Sequence, residues 1–535
     1  MSPVRPDSPA RRPFIFPAGA ALCAVLLYIS FQDYICSPAA AALALAPLLA
    51  VTEKCRSYRA ACGLGLLSGF TFYYIELYWI TNSIAGFTSL PGPVVILVMA
   101  LLALYMGLYL AFFCGAWHIL NKLPALRAPG SKIIAALAGA AIWILLEDLR
   151  SLFLGGFPWH PLGLTQIDNP LFTWLLPLGG VRLLSGLIIL TNIGIYLSCG
   201  ALWQKRFRRT ALYSAVLLLP IIGLALAGNH SNKSLLRQPT PARHRENRTL
   251  RVALIQPNIL QKEKWRPENR EKIINKMLSM TRQSLSANPD LIIWPEAALP
   301  LLLEKEIGIY NFLKHFSAEN HVGLMLGSPR LVKQSGASEK KLFNSIFLIS
   351  PTRPPQIYNK IKLVPYGEYT PLSTLFPFIS KIVPGLDYSS GENIKNFAFK
   401  DLKIAPSVCF EGVFPAFTAG FFAAGADLLI NLTNDAWFGD SPGPRQHLKN
   451  IRLRALENRC TICRCANTGI SAIINPEGRS EQLLPLNQAG IITAEVTGRH
   501  KPTFYAEHPH LPSILAGLYL LIPLFIIITH RRKDA

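Results

Sequence analysis

Residues 403–412 read KIAPSVCFEG, a short apolar run that ends in Cys409, an aromatic residue and an acid. This pattern predicts a buried β-strand that leads into a tight turn and presents one thiol there. Two earlier apolar runs have the same form: LIIWPE ends in Glu296, and QIYNKIKL contains Lys360. A carboxylate, an ammonium group and a thiol are therefore expected at the ends of three strands, where α/β folds place their active sites.

Each of the three residues also has an ordinary structural explanation. Cys409 can be a small buried hydrophobe, Glu296 can cap a following helix, and Lys360 can be a surface lysine. Their common position at strand ends favours catalysis, because a thiol with an unperturbed pKa of about 8.5 needs help to become a nucleophile. We expect Glu296 to take the thiol proton, and Lys360 with the backbone N–H of Phe410 to stabilise the oxyanion of a tetrahedral intermediate.

The composition is that of a membrane protein. The chain has 535 residues, of which 51% are hydrophobic and only 16% charged, whereas about 25% are charged in a typical soluble domain. The net charge of +22 does not indicate nucleic acid, because many basic residues lie in short loops between apolar runs, where they set membrane orientation. We find no basic stripe interleaved with aromatic residues, and therefore expect no nucleic-acid partner.

Apolar runs predict about eight membrane-spanning helices. The runs lie at about 14–31, 39–51, 60–81, 93–120, 132–147, 180–203, 210–228 and 511–529. The first could also be a signal peptide, but its length and the run that follows favour a retained span. Lys and Arg concentrate in alternate loops and at both ends of the chain, so the positive-inside rule puts both termini in the cytoplasm.

The chain therefore divides into four predicted parts: a membrane domain of seven spans at 1–228, a polar linker at 229–249, a water-facing domain at 250–510, and a last span with a basic tail at 511–535. In the water-facing domain, short apolar strands alternate with amphipathic helices, which predicts an α/β fold. Strands are expected at 250–255, 290–294, 322–327, 344–350, 356–363, 403–408, 427–431, 461–466, 470–474 and 490–495. Helices are expected at 267–286, 304–319, 413–424 and 444–457.

The loop at 150–181 is apolar and aromatic, yet Gly and Pro interrupt it, as in FPWHP at 157–161. Such a loop suits the membrane–water interface. It is either an ordinary aromatic belt or a rim that admits lipid chains. The acids Glu76, Glu147 and Asp148 lie within or at the ends of spans, where acids are often functional, although a position at the headgroup level also explains the last two.

The residues around the three candidate groups resemble those of the nitrilase superfamily, with WPE at 294–296, YNK at 358–360 and VCFE at 408–411. More closely, nearly the whole chain resembles the bacterial apolipoprotein N-acyltransferases. The further matching runs are IQPNI at 255–259, KW at 264–265, LVPYGEY at 363–369, NDAWFGDS at 434–441, QH at 446–447, RALE at 454–457, GFPW at 156–159 and TQID at 165–168.

The resemblance implies an αββα sandwich attached to a polytopic membrane domain of the bacterial inner membrane, with the sandwich in the periplasm. It implies a ping-pong acyltransferase that performs the last step of lipoprotein maturation. In it, Cys409 takes an acyl chain from a phospholipid, expected to be phosphatidylethanolamine, and passes it to the N-terminal diacylglyceryl-cysteine of an apolipoprotein. Neither a metal nor another cofactor is expected. The same resemblance implies supporting or substrate-binding roles for Trp265, Glu368, Phe410, Glu411 and Trp437.

Two positions depart from the family pattern. Phe410 stands where many members have Tyr, and Pro257 stands where Gly is frequent, which stiffens the loop. Cys460, Cys463 and Cys465 form a cluster outside the pattern, for which core packing or one disulfide is expected.

Two other functions stand beside the acyltransferase. A membrane-tethered amidase or nitrilase would use the same three groups to hydrolyse a small C–N substrate, but it would not need the membrane domain. A transporter or scaffold with an inactive outer domain would not need an intact set of Glu, Lys and Cys.

Overall fold

The computed structural model describes residues 15–88, 90–126, 128–237, 248–333, 340–371, 387–498 and 501–534. The predicted basic tail before residue 13 and residues 238–247 of the predicted linker lie outside these ranges. The first part of the described chain is helical, and the part from Thr249 to Thr497 is built on two six-stranded sheets.

Within the described ranges, five helices are long and apolar enough to cross a membrane: Gly92–Lys122, Pro129–Gly155, Leu176–Trp203, Phe207–Gly228 and Leu511–His530. A sixth candidate is the pair Tyr58–Glu76 and Ile80–Gly86, which bends by 61° at its break. Two shorter apolar helices, Ile15–Phe31 and Ser37–Glu53, occupy the first two predicted positions. Length and composition therefore support five spans, or six with the bent pair, of the eight predicted.

The first sheet has the order β12 (Gly490–Thr497), β1 (Thr249–Gln256), β2 (Leu291–Ile293), β3 (Gly323–Lys333), β4 (Lys340–Ile349) and β5 (Gln356–Asn359). The second has the order β11 (Ser480–Leu484), β10 (Ser471–Ile474), β9 (Ile462–Ala466), β8 (Leu428–Thr433), β7 (Leu402–Val408) and β6 (Phe397–Phe399). In the first sheet, β1, β2 and β3 are parallel; in the second, β7, β8 and β9 are parallel.

The two sheets share one apolar core. Leu254 and Ile293 of the first sheet belong to the same buried cluster as Ile404 and Leu432 of the second. Helices Arg270–Ser284 and Ile307–Glu319 contribute to a separate cluster with the other face of the first sheet, and helices Pro415–Ala423 and Gly443–Asn458 pack with the second. The result is a helix–sheet–sheet–helix arrangement, in which the carboxyl ends of parallel strands meet at a common edge.

The predicted elements of this domain are confirmed with some exceptions. The strand predicted at 356–363 was wrong in its second half, since β5 ends at Asn359. Beyond it, the N–H groups of Ile361 and Lys362 donate to the carboxylate of Glu411 and not to a neighbouring strand. Strand β3 continues beyond the predicted 327 as the partner of β4. The short edge strands β6 and β11 were not predicted.

A buried polar cluster around Gln446 joins the α/β domain to the membrane helices. The Gln446 side-chain oxygen accepts hydrogen bonds from the indole N–H groups of Trp79 and Trp159, both at 2.9 Å. Its amide nitrogen donates to Glu76 at 2.9 Å, and Glu76 also contacts His160 at 3.0 Å. Glu76 in its predicted span and the aromatic loop at 150–181 thus hold the helical part and the α/β domain together.

Replacing Gln446 with leucine is expected to weaken this junction. The substitution keeps the side-chain volume but leaves two buried indole N–H groups without their acceptor, at a cost of about 1–3 kcal/mol for each group. We expect a lower midpoint of thermal unfolding in detergent micelles. Arg445→Leu, at the exposed neighbouring position, is the control and should leave the midpoint unchanged. Equal midpoints for the two variants would contradict the role of the cluster.

Candidate active site

Cys409 follows β7 directly, at the turn that the sequence predicted. Its φ of +50° lies in the left-handed region, which costs a residue with a side chain roughly 1–2 kcal/mol. The residue is 9% exposed. The sharp backbone turn therefore presents one nearly buried thiol at the carboxyl end of a parallel strand.

Lys360 lies between two carboxylates. Its Nζ is 3.6 Å from Oε1 of Glu296 and 2.8 Å from Oε2 of Glu368. The amide of Asn344 donates to both acids, at 2.8 Å in each case, and the Asn434 N–H donates to Glu296 at 2.9 Å. All three charged groups are buried, so the ammonium group offsets charge that would otherwise be costly in this interior.

The charges of the three candidate residues act on one another. Burial raises the pKa of the Cys409 thiol, the negative charge of Glu296 adds to this, and Lys360 opposes it. Burial also raises the pKa of Glu296, against the effect of Lys360. For Lys360, burial is outweighed by Glu368 and Glu296, which raise its pKa. The thiol is thus protonated at neutral pH, so a role as nucleophile would require a base to take its proton.

Glu411 holds the turn of the nucleophile against the segment that carries Lys360. Its buried carboxylate accepts four hydrogen bonds. Burial raises the pKa of Glu411 to about 7. The four donors are the Val408 N–H at 2.8 Å, the Tyr358 hydroxyl at 2.7 Å, the Ile361 N–H at 2.7 Å and the Lys362 N–H at 3.1 Å. These bonds tie the turn that follows β7 to the segment 358–362.

The aromatic loop of the membrane part reaches the residue after the nucleophile. Phe410 stacks on Phe157 with ring centroids 6.2 Å apart, and it packs edge-on against Phe414 at 5.1 Å. Trp437 is partly buried, and its carbonyl accepts a hydrogen bond from the Ser83 hydroxyl at 3.1 Å. Phe410 therefore lies in an aromatic contact between the two parts of the protein.

Comparisons with known proteins agree with this architecture. Residues 23–194 match the family model of the apolipoprotein N-acyltransferase N-terminal domain, and residues 251–502 match that of carbon-nitrogen hydrolases. The apolipoprotein N-acyltransferase of Geobacter metallireducens is 33% identical over 505 residues, which cover 94% of this chain and 92% of that protein. The one of Azotobacter vinelandii is 35% identical over 485 residues, 89% of this chain and 88% of the relative. This chain belongs to the apolipoprotein N-acyltransferase family.

Family membership confirms the resemblance that the sequence motifs indicated, and with it an acyltransferase that carries a carbon-nitrogen hydrolase domain. The amidase and scaffold alternatives are set aside by the same matches. Among solved structures, the chain aligns with Saccharomyces cerevisiae Nit3 of the nitrilase superfamily, at 17% identity and a TM-score of 0.37, over 46% of this chain and 90% of that one.

A second lysine, Lys264 of the KW run at 264–265, lies against the backbone of Glu296. Lys264 is buried and donates to the backbone carbonyl of Glu296 at 3.1 Å. Burial lowers the pKa of Lys264 to about 8. The adjacent Trp265 is 43% exposed, so its ring lies at the surface of the loop. The buried position of Lys264 could not be recognised from the sequence, because lysine is most often a surface residue.

Asp435 and His447 also lie beside the nucleophile. The Cys409 sulfur, a carboxylate oxygen of Asp435 and a ring nitrogen of His447 lie within 4.8 Å of one another, a set of metal-ligand types. However, Arg464 donates to Asp435 at 2.7 Å and lies 3.1 Å from the His447 ring. Because a guanidinium cation already neutralises these groups, the cluster is better described as a hydrogen-bond network than as a metal centre.

The cysteine cluster outside the site is buried. Cys463 and Cys465 are free thiols, and Cys460, Cys463 and Cys465 are all fully buried. Of the two expectations for this cluster, core packing is confirmed and the disulfide was wrong. The three residues lie in or beside the central strand β9 of the second sheet, where small apolar side chains fit between the layers.

Replacing Glu296 with glutamine is expected to change two properties in opposite directions. Acyl transfer should fall by roughly 10²–10⁴-fold, because the group placed to take the proton is gone. The pKa of the Cys409 thiol should fall, because one negative charge beside it is removed while Lys360 and Asp435 stay. Alkylation of Cys409 by iodoacetamide, followed by mass spectrometry across pH, should therefore have a lower midpoint. Glu268→Gln, at an exposed position, is the control; a midpoint that rises would contradict the arrangement.

Proposed function

We propose that this chain transfers a fatty acyl group from a phospholipid to the N-terminal amine of a diacylglyceryl-cysteine on an apolipoprotein, through a thioester on Cys409. The observation that carries the proposal is the buried thiol placed beside the carboxylate of Glu296 and the ammonium group of Lys360. The apolar helices of the same chain support membrane-anchored substrates. We take phosphatidylethanolamine as the donor and this transfer as the last step of lipoprotein maturation.

In the first half-reaction, Glu296 takes the proton of the Cys409 thiol while the sulfur attacks the ester carbonyl of the phospholipid. The Lys360 ammonium group and the Phe410 N–H stabilise the resulting oxyanion. Collapse of the intermediate breaks the ester C–O bond, and the proton on Glu296 goes to the leaving hydroxyl of the lysophospholipid. The acyl group stays on the sulfur as a thioester.

In the second half-reaction, the acceptor amine attacks the thioester carbonyl and the same two donors stabilise the oxyanion. Glu296 takes a proton from the amine, and the C–S bond breaks to leave an amide. The proton on Glu296 returns to the departing sulfur, which restores the Cys409 thiol. Transfer in place of hydrolysis requires that water is kept from the thioester. The burial of Cys409, Glu296 and Lys360 and the aromatic contact at Phe410 support this requirement.

We propose the following roles for the supporting residues. Glu368 holds the Lys360 ammonium group, on the evidence of their 2.8 Å contact, and Glu411 holds the nucleophile turn. Phe410 and Trp437 form part of the apolar lining between the two parts of the protein. Trp265, exposed on its loop, contacts lipid or covers the pocket once substrate is bound.

We also propose the membrane arrangement expected from the sequence. The two shorter helices and the bent pair complete eight spans, both termini are cytoplasmic, and the catalytic domain lies in the periplasm of the bacterial inner membrane. The basic residues in alternate loops support this orientation. The domains are then 1–228, 250–510 and 511–535, with a linker at 229–249 into which the helix Leu219–Arg237 extends.

The experiment that tests the function uses the full-length protein in detergent with a phospholipid labelled in its acyl chains. Mass spectrometry of peptides should find the labelled acyl group on Cys409, removable by hydroxylamine. Addition of a diacylglyceryl-cysteine lipopeptide should then discharge the label onto the peptide amine. A parallel sample with phosphatidylglycerol compares headgroups. Release of ammonia from small amides, without any thioester from phospholipid, would overturn the proposal in favour of an amidase.

A further inference from the structure

Two buried side chains hold the backbone carbonyl of the nucleophile. The amide nitrogen of Asn431 lies 3.3 Å from the Cys409 oxygen, and Nε2 of His447 lies 3.3 Å from the same oxygen. Asn431 is on β8 and His447 is on the helix Gly443–Asn458, so the two donors come from different layers of the domain. Neither residue has a role in the proposed proton transfers.

Arg464 on β9 orients both donors. Its Nη1 donates to the side-chain oxygen of Asn431 at 2.7 Å, which leaves the Asn431 amide nitrogen for Cys409. Its Nη2 donates to Asp435 at 2.7 Å, and Asp435 contacts Nδ1 of His447 at 2.9 Å. Arg464 and Asn431 are completely buried, so these bonds are made in an interior of low dielectric constant, where they are strongest.

The protonation of His447 follows from its partners. The Cys409 carbonyl can only accept, so Nε2 of His447 carries the hydrogen of this contact. The other ring nitrogen, Nδ1, lies 3.1 Å from Arg464 Nη2, which donates, and 2.9 Å from Asp435 Oδ1, which accepts. A neutral imidazole donates to the Cys409 carbonyl when its Nδ1 accepts from Arg464, and a protonated imidazole donates to both Asp435 and the carbonyl.

The contacts that hold the Cys409 carbonyl also orient the N–H of Phe410. The C=O of Cys409 and the N–H of Phe410 belong to one planar peptide group, so a fixed oxygen also fixes the direction of the N–H. The left-handed backbone of Cys409, with φ of +50°, is a costly conformation that persists only where its surroundings enforce it. We propose that Asn431 and His447 are positioning residues that aim the Phe410 N–H at the oxyanion, a role that rests on the proposed thioester chemistry.

Two reactions of the Cys409 thiol distinguish the loss of an aimed oxyanion donor from a general disruption of the site. Alkylation by iodoacetamide forms a C–S bond and releases iodide without an oxyanion. Acylation by p-nitrophenyl laurate passes through a tetrahedral oxyanion, forms the thioester and releases p-nitrophenolate. Because the positioning residues act on the oxyanion donor, their loss should slow acylation and leave alkylation unaffected.

The variants are a matched pair at one position. His447→Phe keeps a ring but removes the donor, and we expect about a tenfold loss in the acylation rate at saturating ester, with unchanged KM. Its alkylation rate should stay within about twofold of the unsubstituted protein. His447→Gln, which keeps an N–H donor, should recover most of the acylation rate, and the exposed Arg445→Ala should match the unsubstituted protein.

Other results would overturn the proposal. Equal losses in acylation and alkylation, or unchanged acylation in His447→Phe, would show that the contact does not serve the oxyanion. If His447→Phe does not fold, Asn431→Ser removes the other donor and carries the same expectation. Failure of the unsubstituted protein to form a thioester from labelled phospholipid would instead remove the proposed function itself, so the two failures are distinguishable.

Discussion

Replacing Cys409 with alanine is expected to abolish acyl-enzyme formation. No other group among the residues described at this site is placed to carry the acyl chain, and covalent catalysis requires the sulfur itself. Cys409→Ser should also fail, by about 10⁴-fold or more, because a serine hydroxyl is a far weaker nucleophile without an activation matched to it. The measurement is the labelled acyl group on the Cys409 peptide, together with transfer to a lipopeptide.

The same variants should retain their structure. Alanine keeps the Cβ that the left-handed backbone already accommodates, and the hydrogen bonds to the Cys409 carbonyl do not involve the sulfur. We therefore expect the unfolding free energy to change by about 1 kcal/mol or less. Cys199→Ser, at an exposed cysteine, is the matched control and should form the thioester normally. Full transfer by Cys409→Ala would disprove the proposed mechanism.

The central groups of the site could be predicted because each has a local signal. Cys409, Glu296 and Lys360 each follow or end an apolar run, and strand ends gather at one edge of a sheet whatever the details of the pairing. The outcome for Lys360 shows the limit of this signal. The strand predicted around Lys360 is too long, because β5 ends at Asn359 and the N–H groups of Ile361 and Lys362 donate to Glu411, about fifty residues further along the chain.

The supporting network could not be predicted from the sequence for a related reason. Asn344 bonds Glu296 across 48 residues of sequence, and Arg464 bonds Asn431 across 33. No periodicity in either segment indicates which distant side chain it meets. The contact between the two domains joins residues that are even further apart in sequence, since Gln446 and Glu76 are separated by 370 residues. Glu76 could be marked as unusual within its span, but its partner becomes known only from the packing of the two domains.

Replacing Lys360 with methionine is expected to affect both activity and stability. Thioester formation should fall by roughly 10³-fold, because the ammonium group is the charged donor for the oxyanion. The loss of positive charge between Glu296 and Glu368 leaves buried carboxylate charge uncompensated, which costs about 3–5 kcal/mol. Lys262→Met, at an exposed position, should change neither property.

The stability loss should depend on pH in a defined direction. Lys360 lowers the pKa of Glu296 against the effect of burial, so the pKa of Glu296 rises further in the Lys360→Met variant. A carboxyl group whose pKa is raised by folding favours the folded state at low pH, and this contribution is lost as the pH increases through the raised pKa. The difference in unfolding midpoint between the variant and the unsubstituted protein should thus be larger at pH 8 than at pH 5.

A second substitution separates the two effects of Lys360. Adding Glu368→Gln to Lys360→Met removes one of the two carboxylates and should recover part of the lost stability at pH 8. It should not recover thioester formation, because the oxyanion donor is still missing. If the double variant regained activity along with stability, the lysine would act through folding alone and its proposed role at the oxyanion would be wrong. A stability loss independent of pH would equally contradict the charge arrangement around Glu296.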